Sequence, residues 1–433
     1  MQTRLGLLLL LPLPLLPFAA CSSSSTSTTS TAGTGGSSTA STTGSSASGN
    51  STTSNGTTGS ATGTGGSGAT SSSTGTTGTG GSSPGTATLR VHYPAGAHTL
   101  TIRGSAPGLS WTQGQPTSAS GDTFTYTLTG LVAPAEWKPL LDDATWARGP
   151  NYRVAPGQTL DLWPHFTTLT GKVVTLNPAF HSMVLGNDRA IYAYLPASYN
   201  ENTDATYPVV YMHDGQNLFD PSAAFGGTTW RVAETMNAAA IDGSIAEAIV
   251  IGVDNTGDRM NEYTPWADPT WSTGGKGDLY LQMLVQELRP RVDARYRTSP
   301  GPEHTAIIGS SLGGLISSYA GTVHPEAFGL VGALSPTTWW DGRRIIDVVK
   351  AIPAPPPRAL RVYVDSGDSG TLPGEPPNDD VLDTHDLAGA YRSVGYADGA
   401  GLLYVVQHGA THDEAHWAER LPGALAFLLG PRP

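Results

Sequence analysis

The sequence predicts an α/β fold with a mostly parallel central sheet, preceded by a small all-β sandwich module and a disordered linker. Three observations carry this reading. From residue 171 onward, short apolar runs alternate with segments of helical periodicity, the pattern of repeated strand–helix–strand units. Between 88 and 166, short stretches of alternating apolar and polar residues are separated by Gly- and Pro-bearing turns, which suits a β-sandwich. Between Ser22 and Ser83 there is only Ser, Thr, Gly, Ala and Asn, so nothing there can bury enough apolar surface to fold. The 433 residues therefore divide into a leader (1–20), a linker (21–86), a sandwich (87–170) and an α/β domain (171–433).

The leader has Arg4 followed by an apolar run over 5–18, too short for the ~20 residues that a membrane-spanning helix needs. It reads as an export signal. Phe18, Ala19 and Ala20 precede the only cysteine, Cys21, and this arrangement resembles a bacterial lipobox. The resemblance implies lipidation at Cys21 and an exported protein anchored to the cell envelope. Ser22, in place of Asp, points to the outer membrane. A single cysteine also leaves no internal disulfide to form in an oxidising compartment. The linker is then a tether whose reach is on the order of 45 Å. A net charge of −12 with no basic run argues against nucleic acid as the main partner.

In the sandwich, the alternating runs are 88–93, 98–103 and 123–128, with turns at 94–96, 107–108 and 120–122. Trp111, Trp137, Trp146 and Tyr152 are candidates for a sugar-stacking platform, or in part for sandwich core.

In the α/β domain the expected strands are 189–195, 208–213, 248–254, 305–309, 330–334, 360–365 and 402–407. The expected helices are 279–296, 312–324, 383–394 and 414–429. Gly309, Ser310, Ser311, Leu312 and Gly313 fit G-x-S-x-G between an apolar strand and a helix. That context presents Ser311 as a nucleophile on a tight turn at a helix N-terminus, with glycines at 309 and 313 to avoid collision. The Leu312 N–H would be one oxyanion donor. The second is expected after the 208–213 strand, where Gly215 permits close approach and the Gln216 N–H is the candidate.

The base should follow the last strand. His408, His412 and His416 lie there, and His412, in the loop before the final helix, is favoured. The acid should follow the 360–365 strand. Asp368 is favoured, with Asp379 and Asp380 as alternatives. Trp339 and Trp340 are candidates for the walls of an aromatic acyl pocket or, equally, for core packing. No metal or organic cofactor is called for.

Four motifs occur in order: 211–220 (YMHDGQNLFD), 259–265 (RMNEYTP), 309–314 (GSSLGG), and 409–412 with Trp417. Together they resemble the Putative esterase family, which includes enterochelin esterases, esterase D-like enzymes and feruloyl or acetyl-xylan esterases. The resemblance implies an α/β-hydrolase fold and a serine esterase acting on small-molecule or glycan esters through an acyl-enzyme. It matches Ser311 to the family nucleophile and His412 to the base, and it brings Arg259, Glu262 and Tyr263 to the site as supporting or substrate-lining residues, with a structural ion pair as the alternative. The family's acid often lies three residues after a post-strand glycine; here that position is Gly370. Residues 136–140, 149–152 and 164–166 look like the starch-binding-like modules that precede some bacterial esterases. Two alternatives fit the same motifs: a surface glycan-binding lipoprotein with a silent hydrolase domain, and an acyltransferase using the same residues.

Overall fold

The computed structural model of the chain describes residues 84–356, 360–370 and 379–431. The expected leader, Cys21 and nearly all of the linker lie outside the described residues.

The sandwich forms from two sheets. One orders Ser118–Ser120, Thr123–Leu131, Gly85–His92 and Thr159–Leu162; the other centres on Leu100–Gly104 and Ala135–Leu141. Alternate residues of the first strand, Ala87, Leu89 and Val91, point inward and pack with Ile102, Leu128 and Phe166. Trp137 and Tyr152 belong to this core, their rings 5.5 Å apart, so they are not part of a surface platform. Trp111 and Trp146 do lie on the surface, with ring centroids 6.2 Å apart.

The α/β domain is an eight-stranded sheet. We label its strands β1 (Lys172–Ser182), β2 (Asn187–Leu195), β3 (Val209–His213), β4 (Ile249–Val253), β5 (Thr305–Ser311), β6 (Leu330–Pro336), β7 (Arg361–Gly367) and β8 (Leu402–Gln407). Their order is β1-β2-β4-β3-β5-β6-β7-β8. The β1–β2 and β2–β4 pairs are antiparallel and all the others parallel. This is the α/β-hydrolase arrangement. β1 escapes a pattern reading because Asn177 and Pro178 interrupt its alternation, and its pairing with β2 bulges there.

Both faces of the sheet are covered, which is why its strands read as continuous apolar runs. On one face Val209, Tyr211, Ile251, Ile307 and Val362 pack against three helices. These are α2 (Gly277 to Arg295, with a π-helical middle), α3 (Leu312–Val323) and α5 (Val381–Ser393). On this same face lies α4 (Trp340–Lys350). On the other face Val210, Met212, Val250 and Ile308 meet α1 (Val232–Asp242) and α6 (Glu414–Leu429). Neither α1 nor α4 is among the helices expected from the sequence pattern. The first turn of α4 is left-handed at Asp341, Gly342 and Arg343, so its periodicity starts late.

Two residues after β2 join the modules. Asn202 Nδ2 donates to the carbonyls of His92 and Pro164, each at 2.9 Å. The Glu201 carboxylate accepts from the N–H groups of Phe166 (2.5 Å) and Thr168 (2.8 Å) and from the hydroxyls of Thr167 and Thr168. Burial opposes its charge, but these donors outweigh it and hold Glu201 down to about 2. Its contribution is therefore full above the ordinary value of 4.5 and fades as pH falls toward 2. Glu201→Gln is expected to cost about 2 kcal/mol at pH 7 and much less near pH 2. Chemical unfolding of both proteins at the two pH values checks this; an equal loss at both would contradict it.

Candidate active site

β5 ends at Ser311 and α3 begins at Leu312, so strand passes directly into helix. Ser311 takes φ 56°, ψ −124°, a conformation that costs an L residue of order 1–3 kcal/mol. A Cβ on Gly309 would come within 2.6 Å of the His213 ring and 2.8 Å of the Gly313 carbonyl carbon. At Gly313 the nearest contact would be an ordinary 3.4 Å, whereas at Gly314 it would be 3.0 Å from Pro336 Cα. The steric demand thus falls on Gly309 and Gly314, not on Gly309 and Gly313. His213 beneath them is fully buried with its Nδ1 2.8 Å from the Tyr280 hydroxyl, and burial above all pushes it down to about 3, so it is neutral.

His412 stands in the short loop between β8 and α6. Its Nδ1 lies 2.5 Å from Asp379 Oδ1. Trp417 meets the imidazole edge-on at 5.0 Å. The other Asp379 oxygen accepts from the Ser335 hydroxyl (2.7 Å) and the Gly367 N–H (2.6 Å). Burial raises the cost of charge on Asp379, yet His412 and these donors hold it below the ordinary carboxylate range.

Ser335 is itself saturated. Its oxygen receives Trp417 Nε1–H at 3.1 Å and Arg420 Nη2–H at 2.9 Å. Both are donors only, so the hydroxyl proton must point at Asp379. Arg420 in turn pairs with the buried Asp365 at 3.0 Å. Ser335→Ala removes one bond from a buried carboxylate and orphans two donors. It is expected to lower kcat about tenfold with KM little changed. Steady-state kinetics on one ester decide this, and a KM change with constant kcat would contradict it.

Ser311, Leu312, Thr337, Asp379 and His412 open onto one cleft of about 290 Å³. Met260, Trp271, Trp339, Trp340 and Asp380 complete its wall. The Ser311 hydroxyl rests on Thr337 Oγ1 at 3.3 Å. Among the described residues no hydrogen bond joins Ser311 to His412, so the two must close on each other before any proton transfer between them, as is common before substrate binds. The Leu312 N–H sits in the first turn of α3, where helix N–H groups have no helical partner. A larger groove of about 500 Å³ between α1 and α6 has Ser244 but no histidine in its wall.

Several expectations need correction. Asp368 does not face His412. It bonds His408 Nδ1 and the Gly409 N–H, both at 2.6 Å, on the exposed rim. Asp379, 12 residues beyond Gly367, accepts the Gly367 N–H and so clasps the end of β7. His408, His412 and His416 thus each have a different aspartate: Asp368, Asp379 and Asp413. Gly215 and Gln216 stand off the cleft wall. Gly215 is pressed on β4, where a Cβ would lie 2.8 Å from the Gly252 carbonyl carbon, and the Gln216 N–H faces Asp254. Arg259 and Tyr263 do not line the cleft either. Arg259 grips both oxygens of Asp214 at 2.8 Å, and buried Tyr263 takes the Asp214 N–H at 3.2 Å. Glu262 pairs with Arg189 beneath them. Trp340 touches the cleft but is mostly core, donating to the Trp266 carbonyl at 2.7 Å. Trp339, Leu312, Ser311 and His412 line the cleft.

Fold and site together define an α/β-hydrolase esterase. The chain belongs to the Putative esterase family, whose model matches residues 182–428. It is 25% identical over 249 residues to the uncharacterized protein YbbA of Bacillus subtilis, covering 56% of this chain and 93% of that one. It is 28% identical over 166 residues to the iron(III) salmochelin esterase of Escherichia coli O6:H1. That match covers 37% of this chain and 35% of the relative, so the chain spans about a third of that enzyme's length. Among solved structures, a ferulic acid esterase is similar at TM-score 0.47 and 23% identity, covering 60% of this chain and 98% of that one.

Proposed function

We propose that the chain cleaves carboxylic esters through Ser311, His412 and Asp379 by way of an acyl-enzyme. The observation that carries this is the 2.5 Å contact between His412 and the buried Asp379, on the same cleft as the strained Ser311. The Asp379 carboxylate holds the Nδ1–H tautomer, which leaves Nε2 free to take the serine proton. Ser311 Oγ then bonds to the ester carbon. The Leu312 N–H and the α3 N-terminus stabilise the oxyanion. The carbonyl re-forms, the alcohol leaves with the proton from His412, and water repeats the sequence to release the acid.

The substrate is a small-molecule ester. Names among the relatives, for salmochelin and ferulic acid, keep siderophore and feruloyl esters in view, beside acetylated carbohydrates. The test is a p-nitrophenyl ester chain-length panel followed by stopped flow. Turnover with a stoichiometric burst of nitrophenol is expected for slow-deacylating esters. No hydrolysis above background at any chain length would defeat the reading.

The Cys21 arrangement supports an exported protein held to the envelope by lipid, with the Ser/Thr/Gly-rich segment as tether. Labelling with a palmitate analogue is expected in the wild type and absent in Cys21→Ala; equal labelling of both would remove the anchor.

A further inference from the structure

The cleft has a charge pattern that catalysis does not use. Among the described residues its titratable groups are His412 and two carboxylates, Asp379 and Asp380, with no lysine or arginine in the wall. Asp379 spends both oxygens on His412, Ser335 and Gly367. Asp380 is different. It stands at the N-terminus of α5, but its side chain makes no capping bond there. Among the described residues its hydrogen-bond contact in the cleft is the Trp339 side chain, a donor only, which leaves carboxylate lone pairs for a ligand.

Nearby guanidinium groups do not neutralise it. Arg343 is bound to Asp383 and Asp386, Arg344 to Asp341, and Arg259 to Asp214. Trp339, the donor to Asp380, and Trp271 stand in the same wall with ring centroids 6.2 Å apart, and exposed Met260 lines the cleft with them. An apolar slot with one uncompensated carboxylate favours an apolar group that carries positive charge or a hydrogen-bond donor. It rejects negative charge, because like charges in a partly desolvated site repel by several times their energy in water.

We propose that Asp380 is a specificity-determining residue, which selects neutral or cationic aromatic esters with a donor group and excludes anionic ones. This rests on the esterase reading for its consequence in turnover, but not for its consequence in binding. Burial, then Asp383, pushes Asp380 up to about 6, so the carboxylate is ionised at pH 8.

The test uses aryl esters at pH 8 bearing para-trimethylammonium, its neutral isostere tert-butyl, or sulfonate. The group is placed on the acyl side in one series and on the alcohol side in a second. In the wild type, kcat/KM for the cationic ester is expected to exceed that for the anionic one by at least about tenfold in one series. Asp380→Asn should bring that ratio within about threefold of unity. Asp368→Asn removes the same formal charge at the rim and should keep the ratio, which separates a local carboxylate from the overall charge of −12.

A wild-type ratio near one, or a ratio that survives Asp380→Asn, overturns the proposal. So does a uniform fall for all three esters in Asp380→Asn, the signature of an orienting acid. Binding of the same esters to Ser311→Ala, read by tryptophan fluorescence, keeps the two readings apart. Discrimination in binding without turnover in the wild type would sink the esterase mechanism and leave this inference standing. Flat binding in both series would sink the inference alone.

Discussion

Replacing Asp379 by Asn is expected to lower kcat on any ester by about 10³–10⁴-fold, with little change in KM. The reason is the proton inventory. Asp379 accepts from His412 through one oxygen and from Ser335 and Gly367 through the other. An asparagine can keep its carbonyl oxygen on Ser335 and Gly367, which leaves its NH₂ against His412 Nδ1. The imidazole then carries its proton on Nε2 and cannot take one from Ser311. Asp368→Asn is the matching control. Asp368 holds a histidine whose side chain is 88% exposed, and its change should alter kcat by less than about twofold. Steady-state kinetics on both variants decide between the two acids. A large loss in Asp368→Asn with none in Asp379→Asn would reverse the assignment.

The largest loss of stability is expected from Glu262→Ala. Arg189 and Glu262 form an ion pair with both side chains at 0% exposure. Asn187 Nδ2 also donates to Glu262 at 2.6 Å, and Thr256 Oγ1 does so at 3.2 Å. Removing the carboxylate leaves a guanidinium buried without a counter-charge, and breaking such a pair costs about 3–5 kcal/mol. Replacing both partners with apolar residues of similar size should cost much less, because no lone charge remains. Urea unfolding of Glu262→Ala and of an Arg189→Met, Glu262→Leu double variant checks this. A loss below about 1 kcal/mol in the single variant would show that the pair is solvated in solution.

Much of this was legible in the residues. The sheet strands after β1 announce themselves as apolar runs, because covered faces need no polar alternation. Ser311 could be read from its strand–helix context, and His412 from its place between the last strand and the last helix. The acid was harder to place. It is fixed by where the chain returns after β7, and a sequence shows loop length but not the path of the loop. Asp368 is near in sequence and bound to the wrong histidine; Asp379 is farther along and clasps Gly367. The 259–263 segment left a site role and a structural ion pair both open for a related reason. Arg259, Glu262 and Tyr263 look like site chemistry, yet their partners, Asp214 and Arg189, lie far away in sequence. Ser335 gave no signal at all. Its role depends on donors from α6, Trp417 and Arg420, converging on one hydroxyl.

The most direct test of the central claim is fluorophosphonate labelling followed by peptide mass mapping. The account predicts one adduct per chain, on Ser311, forming far more slowly in His412→Ala and Asp379→Asn. Labelling of another serine, or equal rates in all three proteins, would contradict it.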